Sequence, residues 1–252
     1  MARFENRVFV VTGGGTGIGR ATAIQLAVEG ARVVIGNRNA ELGGDTVAEI
    51  ERSGGIALFQ RTDVTDDAQV RALVDLAVER FGGLDGAFNN AGVEGPMGPL
   101  HTMDDATYDR VLDTNLRGTF FSMRAQIPRL LERGGGAIVN NSSVAGLVGF
   151  GGQALYAAAK HAVNGLTRTA AVEVAAQGVR INSVCPGAVR TEMFERFRSG
   201  GGLSEEELGA LHPIGRIGRS EEIAALVCWL LSDEASFVVG QALAADGGLS
   251  SV

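Results

Sequence analysis

Short apolar runs recur along the chain, each followed by a stretch long enough for one helix. They fall at Val8–Val11, Arg32–Ile35, Ile56–Gln60, Gly86–Phe88, Ala137–Asn141, Arg180–Val184 and Ala242–Ala244. Helical patterning fills the gaps at 17–29, 40–53, 66–81, 104–132, 152–177 and 221–232. In the first helix Ile18, Ala21, Ile24, Gln25 and Val28 mark the stripe expected to face the core. Strands alternating with helices imply parallel strands joined by right-handed crossovers. Several runs lack polar alternation, as expected where helices cover both faces of a sheet. No Pro/Ser-rich linker, charge block or repeat divides the chain. The expectation is a single α/β domain over residues 1–252, doubly wound, with a mostly seven-stranded parallel sheet and helices on both faces.

One segment breaks the rhythm. From Thr191 to Gly218 the text is irregular, and Gly200, Gly201 and Gly202 can absorb the dihedral changes of a hinge. Ser204 followed three residues later by Glu207 predicts a capping box on a short helix. The segment is either an ordinary surface loop or a lid.

Composition narrows the class. A length of 252 residues with 45% apolar content suits one α/β domain, and a net charge of -7 argues against a nucleic-acid partner. Cys185 and Cys228 follow no metal or redox spacing, and the three His (101, 161, 212) form no metal constellation. The residues Met1-Ala-Arg-Phe-Glu5 lack the apolar core of a signal peptide, and no apolar run approaches the ~20 residues of a membrane span. A cytoplasmic protein with no membrane partner is expected. The sequons at Asn140 and Asn141 fall at a strand end expected to be buried, which argues against glycosylation.

The chemistry concentrates in two places. Thr12-Gly-Gly-Gly-Thr-Gly-Ile-Gly19 lies between the first strand and the first helix. Such a turn lets the backbone approach a pyrophosphate at a helix N-terminus. The spacing is Gly13-x3-Gly17-x-Gly19, not the general G-x-G-x-x-G. Farther on, Tyr156 and Lys160 stand four apart on a predicted helix, so ammonium and phenol share a face. A free Tyr titrates near ~10, and lowering that by about 3 units needs roughly 4 kcal/mol of differential stabilisation. The Lys, a positive charge on a bound ligand and a hydroxyl donor could supply it together. Lys160 is the only Lys in the chain, and Arg cannot replace a point ammonium in this role.

With these motifs the chain resembles the short-chain dehydrogenase/reductase family in its single-domain form, over nearly its whole length. Asp63-Val64, Asn89-Asn90-Ala91-Gly92, Asn115, Ser142-Ser143, Pro186-Gly187 with Thr191, and Asp246-Gly247-Gly248 also match. The resemblance implies a Rossmann-like fold and a nicotinamide-dependent oxidoreductase acting on a ketone or secondary alcohol. Tyr156 would be the general acid/base and Ser143 the hydrogen-bond donor to the substrate oxygen, with Ser142 structural. Lys160 would tune Tyr156 and bind the nicotinamide ribose. Asn115 would position a relay water, although a helix Asn satisfying a local backbone group fits the sequence equally well.

The same resemblance assigns Gly13, Thr16, Gly17, Ile18 and Gly19 to the pyrophosphate turn. Asp63 and Val64 would contact adenine, Asn90 and Gly92 would underlie the adenosine ribose, and Pro186, Gly187, Val189 and Thr191 would hold the carboxamide. An alternative for Asp63 is the N-cap of helix 66–81. The end of the second strand decides the cofactor. Counting ~20 positions from Gly17 reaches Asn37, where NAD-binding chains place an acid, and Arg38 follows. Neutral then Arg favours NADP, with NAD the alternative, although relatives that prefer NADP often carry a basic residue at the position of Thr16. Glu94, Gly149, Phe150, Gln153, Met193 and the 191–218 segment are candidates for the substrate pocket.

A 3-oxoacyl-[acyl-carrier-protein] reductase and a non-catalytic dinucleotide-binding protein are the other readings. Arg129 and Arg133 offer a carrier protein few basic contacts, and a sensor need not keep Asn115, Ser143, Tyr156 and Lys160 together. Sugar-nucleotide epimerases also use Tyr-x3-Lys but are longer. The resemblance further implies a homotetramer through 104–132, 152–177 and the C-terminal strand. Ala157, Ala158, Ala162, Val163 and Leu166 read as surplus apolar surface for that interface.

Overall fold

In the computed structural model each apolar run becomes a strand. The strands are β1 (Val8–Thr12), β2 (Arg32–Asn37), β3 (Ile56–Arg61), β4 (Gly86–Asn89), β5 (Gly136–Asn141), β6 (Val179–Pro186), β7 (Val189–Arg190), β8 (Gly218–Arg219) and β9 (Ala242–Ala245). The structure describes residues 2–200 and 203–251, so Gly201 and Gly202 of the expected hinge lie outside the described residues. Seven strands form one sheet in the order β3-β2-β1-β4-β5-β6-β9, every pairing parallel. Only the two-residue strands β7 and β8 pair separately.

The helices are α1 (Gly17–Val28), α2 (Ala40–Arg52), α3 (Asp67–Phe81), α4 (Asp105–Leu112), α5 (Gly118–Arg133), α6 (Ala154–Val174), α7 (Glu192–Ser199), α8 (Glu205–Leu211) and α9 (Ser220–Leu231). The pleat of the sheet splits the core in two. Phe9, Val11 and Ile35 pack with Leu26 of α1 and Val227 of α9, while Val8, Val10 and Val34 pack with Leu73 of α3, Leu130 of α5 and Ala171 of α6. Fully burying such a side chain contributes ~1.5–3 kcal/mol. Chain direction across the sheet reverses between β1 and β4, and open parallel sheets place ligands at the carboxyl ends of strands at that switch point.

Three expectations need correction. The stripe on α1 lies at the rim of the core: Ile18 and Ile24 pack against it while partly exposed, Ala21 and Gln25 are partly exposed, Val28 is 69% exposed, and the fully buried face is Gly19, Thr22, Ala23, Leu26 and Ala27. Thr22 can be buried because its hydroxyl donates to the Ile18 carbonyl at 2.8 Å. The 104–132 helix is interrupted between α4 and α5 by a wide turn at Asp113–Arg117. Finally, Ala157 and Val163 already pack inside their own subunit, leaving Ala158, Ala162 and Leu166 less surplus surface than expected.

Candidate active site

The glycine turn joins β1 to α1 at the switch point. Gly13 sits at φ 65°, and a Cβ there would lie 2.9 Å from Ala91 Cα and Asn90 Nδ2. Thr16 precedes α1 without a side-chain cap, and no acidic residue stands in the first turn. The free N–H groups and the helix dipole therefore favour an anion. Beyond them opens a cavity of about 490 Å³ lined by Thr16, Asn37, Arg38, Asp63, Val64 and Asn90, among others. An uncapped helix start beside a long cleft fits the pyrophosphate and adenosine of a dinucleotide.

The cavity's residues are fixed from below. Asn90 donates from Nδ2 to the carbonyls of Thr12 at 3.2 Å and Gly13 at 3.1 Å. Asp63 accepts from the N–H and hydroxyl of Thr65 at 2.9 and 2.8 Å, while the N-cap of α3 is Asp66. Asp63 is thus free of the capping role and faces the cavity. Asn37 donates to the Asn39 carbonyl at 2.9 Å, and the Arg38 carbonyl accepts from Arg61 Nε at 3.3 Å. Both Asn37 and Arg38 line the cleft.

Ser143, Tyr156 and Lys160 meet at the end of β5 and the start of α6. Lys160 Nζ stands 5.4 Å from the Tyr156 ring centroid and donates to the Asn141 carbonyl at 2.7 Å. Burial pushes Lys160 down to about 8. Burial likewise pushes Tyr156 up to about 12, against a hydrogen bond from Ser143 that lowers it, while the nearby Glu94 charge raises it further. The ring keeps an open edge toward the cavity, so solvent there moderates the rise. The expected drop in the Tyr156 pKa is therefore absent from the protein alone. Desolvation wins over the Ser143 hydrogen bond.

Asn115 lies in the wide turn and is only 1% exposed. Its Nδ2 donates to the Val93 and Val111 carbonyls, both at 2.9 Å, and its Oδ1 accepts from the Val93 N–H at 3.2 Å. The side chain splints the exit of β4. It lines neither cavity, nor does Gly19, although both were expected at the site. Gly19 matters through packing, because a Cβ there would meet the Gly13 carbonyl oxygen at 2.3 Å. Gly149, proposed for the pocket, is exposed and outside it.

A second cavity of about 180 Å³ opens from Tyr156, Ser143 and Lys160. Its outer wall is apolar, with Phe150, Phe194, Phe197, Leu208 and Leu211 beside Gln153 and Met193. Pro186, Gly187, Val189 and Thr191 form its base at the end of β6. Helix α8 starts with the expected capping box, Ser204 Oγ accepting from the Glu207 N–H at 3.2 Å and Glu207 Oε2 from the Ser204 N–H at 2.8 Å. Helix α7 is tied across the mouth by Arg196, which grips Glu94 at 2.8 and 3.1 Å. Burial works to raise the Glu94 pKa, but the Arg196 hydrogen bonds and charge outweigh it and hold the carboxylate below its ordinary range. Glu94 is thus a latch residue as well as part of the lining.

Sequence reasoning missed His212 and Asn141. His212 is 3% exposed; its Nε2 accepts from the Ala188 N–H at 3.1 Å and its Nδ1–H donates to the Leu208 carbonyl at 2.7 Å. It couples α8 to the turn after β6. A lone His carries no sequence signal for such a role. Asn141 was read only as a sequon.

The chain is similar to known proteins over nearly its whole length. A family model described as Enoyl-(Acyl carrier protein) reductase matches residues 13–250. The chain is 43% identical to cyclohexanol dehydrogenase of Acinetobacter sp. (strain SE19), covering 99% of this chain and 97% of that protein. It is 45% identical to 2,5-dichloro-2,5-cyclohexadiene-1,4-diol dehydrogenase of Sphingobium indicum, covering 100% of each. A crystal structure of levodione reductase superposes with a TM-score of 0.96 at 42% identity, covering 99% of this chain and 100% of that one.

Proposed function

The chain belongs to the short-chain dehydrogenase/reductase family, and from that premise we propose that it is an NADP(H)-dependent dehydrogenase/reductase of compact cyclic secondary alcohols and ketones. The observation that carries this is the junction of two unlike cavities. One is larger and carries many polar side chains, and the other is smaller and walled mainly by apolar ones, with Tyr156, Ser143 and Lys160 among its lining residues. Drug-sized pockets run ~300–1,000 Å³, so a cavity of about 180 Å³ that also takes the nicotinamide ring at its base leaves room for a compact substrate only. The one carboxylate at its wall, Glu94, is neutralised by Arg196, which suits an uncharged substrate. The relatives named for cyclohexanol and levodione support the same class.

The dinucleotide supplies the hydride and, when oxidised, a positive charge. The chain's residues do the rest. Ser143 donates a hydrogen bond to the substrate oxygen as negative charge develops there. Tyr156 delivers its phenolic proton to that oxygen in reduction and removes it in oxidation. Lys160 holds positive charge beside the phenol and reaches the nicotinamide-side ribose, with Asn115 shaping the path by which a proton is replaced. The apolar wall of Phe150, Phe194 and Leu208 excludes water from the reacting carbon.

Arg38 on the rim of the adenosine end supports NADP, since its guanidinium can pair with a 2′-phosphate while Asn37 offers no repelling carboxylate. A carrier-protein substrate is the weaker reading: Arg129 is held by Asp75 and Glu132, and Arg133 by Asp85. The segment 191–218 acts as the substrate lid in this reading. The subunits assemble as a cytoplasmic homotetramer, with exposed Tyr108 and Phe120 on α4 and α5 supporting that face. Among the described residues no helix is long and apolar enough to cross a membrane. The test is a panel of cyclic and linear ketones and alcohols followed by NADPH and NADH absorbance. Turnover confined to linear thioesters, or a preference for NADH, would contradict this reading.

A further inference from the structure

Among the described residues three buried side-chain oxygens accept no hydrogen bond, namely Glu29 Oε2, Asp67 Oδ1 and Asn141 Oδ1. The first two face guanidinium groups, Arg3 at 3.0 Å and Arg124 at 2.6 Å. Asn141 Oδ1 has no ion pair either. The rest of Asn141 is committed: its Nδ2 donates to Asn90 Oδ1 at 2.9 Å, and its carbonyl accepts from Lys160 Nζ at 2.7 Å. The side chain is pinned at both ends and cannot swing to find another donor. A buried acceptor left without a partner costs ~1–3 kcal/mol.

Its position says what would complete it. Ile18, Asn90, Gly92, Asn141, Thr191 and Met193 line both cavities and so form the junction between them. The phosphates of a dinucleotide only accept hydrogen bonds at neutral pH, so they cannot satisfy an amide oxygen. The hydroxyls of the nicotinamide-side ribose donate, and they must pass this junction if the adenosine lies by Asn37 and the hydride acceptor by Tyr156. The ammonium that anchors the Asn141 backbone is the one assigned to that same ribose. We propose that Asn141 is a further cofactor-binding residue whose Oδ1 accepts a hydrogen bond from a hydroxyl of the nicotinamide-side ribose. This rests on the dinucleotide reading above. The contact completes a polar chain from the Gly13 carbonyl through Asn90 and Asn141 to Lys160, so filling of the glycine turn and placement of the catalytic ammonium share one set of hydrogen bonds.

The experiment measures binding, not turnover, by calorimetry with two probes. NADPH contains the second ribose, and adenosine 2′,5′-bisphosphate does not. Asn141→Leu keeps the branched shape in a larger side chain but removes the acceptor, and Asn141→Ser keeps polarity but is too short to reach. Both variants, checked for folding by thermal unfolding, should bind NADPH about threefold to tenfold more weakly, as for one lost neutral hydrogen bond. Their affinity for adenosine 2′,5′-bisphosphate should be unchanged. Unchanged NADPH affinity, or equal losses for both probes, would overturn the proposal. A wild type that binds neither NADPH nor NADH would instead overturn the dinucleotide reading, and this contact with it.

Discussion

The two cavities meet at Asn141 but are built from different materials. The cofactor cavity is walled by strand ends and by the turn after β1, and its polar groups are tied to backbone atoms by hydrogen bonds of fixed geometry, as at Asn90 and Asp63. The substrate cavity is walled by side chains of α7 and α8, which rest on a small satellite cluster of Phe194, Leu208 and Ile217 and on surface ion pairs. Backbone-built walls change little with sequence, whereas side-chain walls change with every substitution. In the proposed reading the fold sets where the dinucleotide lies, the side chains of Asn37 and Arg38 set which dinucleotide it is, and the least anchored part of the chain sets substrate choice.

The largest expected effect lies where the cavities meet. Tyr156→Phe should lower turnover by about 10²–10⁴-fold, the usual scale of general acid–base catalysis, with dinucleotide affinity kept. Steady-state kinetics beside a binding titration checks both halves.

Lys160→Met should abolish most turnover and also change stability against pH. The folded chain releases the Lys160 proton near 8, whereas an unfolded Lys keeps it to near 10.5. The unfolded state binds more protons in that window, so apoprotein stability should rise with pH from about 8 to about 10.5, by about 3 kcal/mol at most. Denaturant titrations of wild type and Lys160→Met across that range should show a rise that the variant lacks. Parallel curves would mean Lys160 is not desolvated as described.

Arg38→Ala tests the polar cavity alone. It should weaken NADPH by roughly one to two orders of magnitude while sparing NADH, since one charge-assisted hydrogen bond contributes about 1.5–3 kcal/mol. Asn37→Asp should shift preference in the same direction. Equal losses for the two cofactors in binding titrations would return Arg38 to the role of a solvated loop residue.

The smallest effect belongs to the latch. Arg196 is exposed and Glu94 half-buried, and pairs near the surface contribute ~0.2–1 kcal/mol. Arg196→Ala should raise KM for the ketone less than about fivefold and leave NADPH affinity alone. A larger effect on cofactor than on substrate in the same assay would break the division between the two cavities.

The same division explains what could be read from the chain. The strands were legible because buried parallel strands are continuous apolar runs, Tyr156 and Lys160 because four residues on a helix put phenol and ammonium on one face, and Ser143 through the family resemblance. The buried face of α1 was not, since Gly19, Ala23 and a self-satisfied Thr22 give no hydrophobic stripe, while Val28 faces an open hollow and Ile24 stands between that hollow and the core. The wide turn at Asn115 hid because a side chain there takes over hydrogen bonds that a regular helix would make with its backbone. His212 and Asn141 act through partners distant in sequence, and no local pattern announces them.

The central claim is that the two joined cavities bring the nicotinamide end of a dinucleotide and a compact ketone against one another beside Tyr156. The most direct measurement follows NADPH absorbance with cyclohexanone as substrate, in wild type and Tyr156→Phe side by side. The account predicts consumption of NADPH in step with formation of cyclohexanol in the wild type, and almost none in a variant that still binds NADPH. Undiminished consumption by Tyr156→Phe, or none by the wild type with any cyclic ketone or alcohol in either direction, would contradict it.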